Sequence, residues 1–142
     1  DGGKILCGGE PPKELGERGR DGYFFQPTVI VGLGVGCRVN REEIFGPVAT
    51  IIPFKDESEV VEYANGTDYG LASSVWTQNP PRAHRLAEKI NSGTVWVNCW
   101  MIRDLRMPFG GMKQSGVGRE GGEEAMRFFT EPKNVCIQVP SA

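Results

Sequence analysis

Between Pro47 and Asn98 the chain alternates apolar runs of strand length with amphipathic helical patterns, and this alternation constrains the fold more than any other feature. Residues 47–54 form one continuous apolar run. Residues 56–65 follow, with Val60, Val61 and Ala64 on one face of a short helix that Gly66 and Asp68 stop. Residues 71–77 make a second apolar run, and Asn79-Pro80 then reads as a helix start: Asn caps, and Pro occupies the first turn, where its missing N–H costs nothing. The helix places Ala83, Leu86, Ala87 and Ile90 at i, i+3, i+4 and i+7, with Gly93 just past its end. Residues 94–98 are the third strand. Strands and helices in this order, with short connections, predict parallel strands joined by right-handed crossovers, hence an α/β sheet covered on both faces.

The flanks are less regular. Lys4 to Cys7 reads as a strand ended by Gly8-Gly9, and a polar loop runs on to Asp21. Residues 23–31 are aromatic and β-branched with Pro27 inside, which predicts an edge strand, and residues 32–39 read as loop. After Trp100 a glycine-rich loop extends to Gly118, and a last helix over 120–129 is expected to bury Ala125, Met126 and Phe129. In the tail, Val135, Ile137 and Val139 alternate with polar residues, so 134–139 reads as a strand that needs an edge, in its own chain or on a neighbouring subunit. Arg119 and Glu131 are opposite charges that would brace this hinge or the interface.

Composition excludes several classes. Sixteen basic residues against eighteen acidic ones give a net charge of −2, too little positive charge for a nucleic-acid binder. No apolar run approaches the roughly 18 residues that span a bilayer, and the N-terminal segment lacks the pattern of a signal peptide. Four cysteines without CxxC spacing signal neither a zinc site nor a redox motif, and reduced thiols of a cytoplasmic protein are expected. Glycine, at 20 of 142 residues, is about twice its usual frequency and clusters at turns. The chain opens on Asp1 and enters an apolar stretch at once, so a fragment is expected.

Two segments carry residue types suited to binding. Glu43 and Phe45, in Glu42-Glu43-Ile44-Phe45-Gly46-Pro47, precede an apolar strand at one end of the sheet. A carboxylate there suits ribose hydroxyls and an aromatic ring suits a planar group, although spacing alone favours the plainer alternative of a surface acid and a core Phe. Residues 98–111 set Arg103 and Arg106 among Trp100, Met101, Met107 and Phe109. Arginine in such surroundings is a ready carboxylate clamp; taken alone, a solvated arginine or an ion pair with Asp104 is the simpler reading. Gly116, Gly118 and Gly121 match GxGxxG, but no strand precedes them and no acidic residue follows at the required distance, so this is no dinucleotide fingerprint. His84 is the only histidine and reads as solvated, which leaves no nucleophile relay, and Cys99 reads as a buried, inert thiol.

Taken in order, Glu42-Glu43-Ile44-Phe45-Gly46-Pro47-Val48, Ala64-Asn65, Tyr69-Gly70-Leu71-Ala72, Ser92-Gly93-Thr94-Val95-Trp96-Val97-Asn98, Pro108-Phe109-Gly110-Gly111 and Ser115-Gly116 resemble the C-terminal part of the NAD(P)-dependent aldehyde dehydrogenases. Asn98-Cys99-Trp100 with Ile102-Arg103-Asp104-Leu105 and Pro108 is similar to the 2-aminomuconate and 2-hydroxymuconate semialdehyde dehydrogenase group. The resemblance implies the later half of a parallel-sheet catalytic domain over residues 1–129 and an oligomerisation strand over 130–142, with the coenzyme domain, nucleophilic cysteine, general-base glutamate and oxyanion-hole asparagine upstream. It implies thiolate attack on an aldehyde, hydride transfer to NAD (or NADP) and thioester hydrolysis. In that scheme Glu43 and Phe45 hold the nicotinamide ribose and ring, Phe109 walls the substrate tunnel, and Arg103 anchors a substrate carboxylate, with Arg106 second choice. No catalytic residue and no metal site are expected within the chain itself. The implied partners are a small aldehyde and further copies in a dimer or tetramer, with neither nucleic acid nor membrane. The alternatives are a non-catalytic oligomerisation module and a broad-specificity or betaine-aldehyde-type enzyme.

Overall fold

A computed structural model describes residues 2–140. Two compact units emerge, one running up to Asp68 and including Glu88–Asn91, the other combining Tyr69–Ala87 with the residues from Ser92 onward.

In the first unit β1 (Lys4–Cys7) pairs antiparallel with β2 (Thr28–Val31), and β2 pairs parallel with β3 (Val48–Ile51) in the order β1-β2-β3. The expected edge strand over 23–31 is therefore corrected. The strand begins only at Thr28, immediately after Pro27, and lies in the centre of its sheet. Proline has no N–H to give a ladder; once it is passed, every residue of β2 can bond on both sides. Thr28 is buried at 4% exposure, and its hydroxyl is satisfied twice, donating to the Gln26 carbonyl and accepting from Gly9 N–H, each at 2.8 Å. Gly8 beside it has φ +71°, and a Cβ there would meet the Pro27 carbonyl oxygen at 2.3 Å, so only glycine fits.

A four-residue helix, α1 (Arg38–Arg41), interrupts the loop before β3. The helix α2 (Glu57–Asn65) starts where the Asp56 carboxylate accepts from the N–H groups of Ser58 and Glu59 at 2.9 and 3.0 Å. Asn65 closes it by donating to the Lys89 carbonyl at 2.8 Å and accepting from Asn91 N–H at 2.7 Å.

In the second unit β4 (Tyr69–Gly70) pairs antiparallel with β7 (Met112–Lys113). β5 (Ala72–Val75) and β6 (Thr94–Val97) run parallel in the register Ala72↔Thr94 to Val75↔Val97, joined through α3 (Pro80–Lys89). Asn79 caps α3 as its sequence predicts, accepting from Arg82 N–H at 2.9 Å. Leu86 of α3 and Val75 of β5 are buried in this unit, as Leu33 is in the first. At Gly93 a Cβ would overlap the Gly110 carbonyl oxygen at 1.6 Å, which fixes glycine between the end of α3 and β6.

Three expectations fail here. The parallel strands do not form one run: β3 and β5 belong to separate sheets, because the chain leaving α2 first enters β4, whose partner is the distant β7. The sheets are also not covered on both faces, with Ile51 and Phe54 exposed. The last helix, α4 (Gly122–Phe129), buries neither Met126 nor Phe129; Phe129 is 76% exposed and borders an open cleft along the glycine-rich loop. Apart from these three, residues 134–139 pair with no strand of their own chain among the described residues, which leaves a neighbouring subunit as the other expected partner. Val135, Ile137 and Val139 project from an unpaired, exposed segment. Asp1, and Ser141 with Ala142 at the end of the expected arm, lie outside the described residues.

Candidate functional site

The loop after β6 leaves from the carboxyl end of a parallel strand pair, the end at which open α/β sheets bind ligands. Asn98 starts the turn with φ 53°, a left-handed conformation that asparagine tolerates. Its side chain fastens the turn to Thr77 in both directions: Thr77 N–H donates to Oδ1 and Nδ2 donates to the Thr77 carbonyl, each at 2.8 Å. The Ser74 hydroxyl donates to the Cys99 carbonyl at 2.8 Å, and the Trp96 indole N–H donates to the Ile102 carbonyl at 2.7 Å. Trp96 and Trp100 meet edge to face with ring centroids 5.1 Å apart.

Arg103 follows directly. Its guanidinium lies 4.3 Å from the centroid of the Phe109 ring, while Nη2 donates to Glu120 Oε1 at 2.7 Å. Phe109 and Glu120 are themselves joined by reciprocal backbone hydrogen bonds of 2.8 Å, so the ring beneath the guanidinium and the carboxylate beside it share one bridge. A cation over an aromatic face contributes about 0.5–1 kcal/mol where solvent reaches it, and an exposed ion pair about 0–1 kcal/mol. Only one N–H of the five is committed to Glu120, which leaves donors of the fork for an incoming carboxylate.

Of the two simpler readings of Arg103, the ion pair with Asp104 belongs instead to Arg106. Arg106 Nε donates to Asp104 Oδ1 at 2.9 Å and Nη2 donates to Oδ2 at 2.5 Å. The Arg106 side-chain hydrogen bond, helped by its backbone N–H, holds the Asp104 carboxyl below the usual carboxylate range. Arg106 is thus committed to its neighbour, whereas Arg103 and Phe109 come together as the residue types suggest. In the sequence Glu120 marks only the start of the last helix. It stands 17 positions from Arg103, and no local spacing signals their meeting.

Arg119 does not brace Glu131; its Nη1 donates to the carbonyls of Gly111 at 2.9 Å and Gly118 at 2.7 Å, tying the glycine-rich loop together. Phe109, Glu120 and Phe128 line a cleft of about 300 Å³ along this loop. His84 is exposed on α3, and the Cys99 thiol is half-buried.

The other candidate segment lies in the first unit. Phe45 has φ 55° and is 92% exposed, so the core-Phe alternative is excluded. A bulky residue in that backbone region is strained. The carboxylate of Glu42 is held by Arg38 Nε at 2.7 Å, while Glu43 is exposed. The turn is rigid at its exit, where Val48 N–H donates to the Gly46 carbonyl and Thr28 N–H to that of Pro47, each at 2.8 Å. This loop enters β3 at its amino end, opposite to the end at which parallel sheets collect ligands, so the general sheet-end argument does not support it; its exposed carboxylate and ring must be judged as side chains.

The four cysteines are free of disulfides. Among the described residues no His, Cys, Asp and Glu side chains gather to hold a metal ion, and no helix is long and apolar enough to cross a membrane.

Residues 1–135 match the aldehyde dehydrogenase family. The 2-aminomuconic semialdehyde dehydrogenase of Bos taurus is 50% identical over 139 residues, 97% of this chain and 28% of the relative. The 2-hydroxymuconic semialdehyde dehydrogenase of Pseudomonas sp. strain CF600 is 49% identical over 98% of this chain and 28% of its own length. An aldehyde dehydrogenase from Bacillus cereus, solved as an NAD+ complex, superposes with a TM-score of 0.86 at 42% identity, covering 98% of this chain and 27% of that one. The chain thus spans 28% of the length of the curated relatives named here.

Proposed function

Because the chain belongs to the aldehyde dehydrogenase family, we propose that it forms the later part of the catalytic domain of an enzyme that oxidises a carboxylate-bearing semialdehyde to the acid, with NAD, or second NADP, as coenzyme. Arg103 carries the substrate class: a guanidinium laid on Phe109 and steadied by Glu120 offers its remaining donors to a planar carboxylate. Phe109 then walls the path on which the aldehyde end is held. A betaine-type cationic aldehyde would meet this guanidinium with like charge, which argues against the alternative.

The coenzyme fits the first unit's loop on chemical grounds. The bare Phe45 ring suits a flat face, and the exposed Glu43 suits two ribose hydroxyls. A nicotinamide nucleotide supplies a hydride acceptor when bound. The task of this chain is to orient it: Glu43 by hydrogen bonding, Phe45 by contact. None of Cys7, Cys37, Cys99 and Cys136 stands in the family's nucleophile motif, so the nucleophile, general base and oxyanion donor are assigned to the remaining length of the full enzyme. Residues 1–129 are assigned to the catalytic domain and 130–142 to an arm that adds a strand to a neighbouring subunit in a dimer or tetramer. The exposed alternation of Val135, Ile137 and Val139 supports that arm. Free cysteines fit a cytoplasmic setting.

The test is Arg103→Ala in the full-length enzyme, assayed with a carboxylate-bearing semialdehyde and with the alkyl aldehyde of equal chain length. KM for the former should rise about 30-fold or more, as losing a desolvated charged partner costs roughly 2–5 kcal/mol, and KM for the latter about twofold at most. Equal losses on both would overturn the assignment.

A further inference from the structure

We propose that Trp96 is the positioning residue for Arg103, setting where the carboxylate anchor stands; the inference rests on the reading of Arg103 as that anchor. Trp96 and Ser74 occupy the same rung of the parallel β5/β6 pair, so their side chains leave the sheet on one face. Both reach the loop. Ser74 holds the Cys99 carbonyl and Trp96 holds the Ile102 carbonyl. The second of these carbonyls belongs to the peptide unit whose nitrogen is that of Arg103. Since a peptide unit is planar, fixing its oxygen fixes the point from which the Arg103 main chain departs.

The loop needs such holding. Asn98 and Met101 both have positive φ, at 53° and 55°, and conformations of this kind persist only where the surroundings impose them. Indole nitrogen is a donor only, and the half-buried Trp96 has placed its one polar group on this carbonyl. Beyond Arg103 the hydrogen bonds are local, from Arg106 and Met107 back to Asp104, until the Phe109–Glu120 bridge. Arg103 therefore stands where the sheet-held part of the loop ends. Its backbone is placed by Trp96 and its guanidinium by Phe109 and Glu120. The sheet thus acts on substrate choice through the Trp96 hydrogen bond, with that of Ser74 supporting the loop ahead of it.

The experiment uses the full-length enzyme with the same two aldehydes. Trp96→Phe keeps a ring against Trp100 and removes only the N–H. It should raise KM for the carboxylate-bearing semialdehyde about fivefold, the scale of one net hydrogen bond, with kcat and the alkyl aldehyde's KM within about twofold. In an Arg103→Ala background the same change should add nearly nothing, because the group it positions is gone. Ser74→Ala, which releases the Cys99 carbonyl, should give the same selectivity at about twofold; if Trp96→Phe does not fold by circular dichroism, this variant decides, and no selective rise overturns the proposal. A Trp96→Phe loss that is equal on both aldehydes, or that adds fully to Arg103→Ala, also overturns it while leaving Arg103 as anchor. If Arg103→Ala itself shows no selectivity, the anchor reading fails and the inference with it.

Discussion

The β5–α3–β6 unit and the segment formed by α4 and the tail behave differently although both carry amphipathic patterns. α3 has a side-chain cap in Asn79, buries Leu86, and returns the chain into a parallel partner strand. α4 begins at Gly121 with φ 93° and no side-chain cap, exposes Met126 and Phe129, and leads into a tail without a ladder. The first region caps its helix, buries Val75 and Leu86, and pairs its two strands with each other within 26 residues (72–97) of its own sequence. The second has the same requirements and no local means to meet them. Amphipathicity therefore states that a face will be covered, and only the surrounding chain decides by what.

The contrast can be broken or sharpened experimentally. The largest expected effect is total: the chain on its own should form no NADH from any aldehyde, because none of its cysteines stands in the nucleophile motif. Turnover that thiol alkylation abolishes would break this expectation and make Cys99 the first suspect. In the full-length protein, Leu86→Ala should cost about 2–5 kcal/mol in urea unfolding at any protein concentration, whereas Phe129→Ala should destabilise in a manner that depends on concentration. Equal, concentration-independent costs would erase the distinction between the two helices. Removing residues 134–142 should shift dimers or tetramers toward monomer in size-exclusion chromatography with light scattering; an undiminished oligomer would assign the tail to its own subunit. Glu43→Gln should slow hydride transfer by up to about 100-fold while changing coenzyme affinity less, since small misplacements of the reacting ring are expensive; unchanged pre-steady-state NADH bursts would refute the role.

The smallest effect concerns the capped helices. Hydrogen bonds from the Ser58 hydroxyl, and from the Glu59 and Ser58 N–H groups, lower the Asp56 pKa. A folded-state value below the unfolded one stabilises above the unfolded pKa, near 4, and that stabilisation disappears as pH falls through the lower folded value. Asp56→Asn should leave the thermal midpoint at pH 7 nearly unchanged and flatten its fall below about pH 4; an identical pH profile would remove Asp56 from the account.

The strand–helix–strand pattern around α3 was legible in the sequence because its signals are local: Asn79-Pro80 at the start, a regular apolar stripe, and Gly93 at the end. The Asn79 cap of α3 lies where the sequence predicts it. Strand partners were not legible, since nothing in residues 66–70 announces pairing with Met112–Lys113, and that pairing separates β3 from β5. Proline at 27 suggests an edge, whereas it marks the residue before a central strand. At the candidate site, the clustering of Arg103 and Phe109 followed from residue type, but Glu120 reaches Arg103 only through the backbone bridge at Phe109. Which arginine pairs with Asp104 turned on a choice between neighbours that composition leaves open.

The loop after β6 is pinned at Asn98, Cys99 and Ile102 and is held from there on only by local contacts as far as Phe109. Residue 103 is consequently a socket: its backbone is laid by neighbours that do not depend on which side chain it bears. Under the proposed anchor role of Arg103, exchanging that one side chain would change the preference among aldehydes without redrawing the path of the chain. Evolvability, in this loop, is a product of rigidity upstream of the variable position.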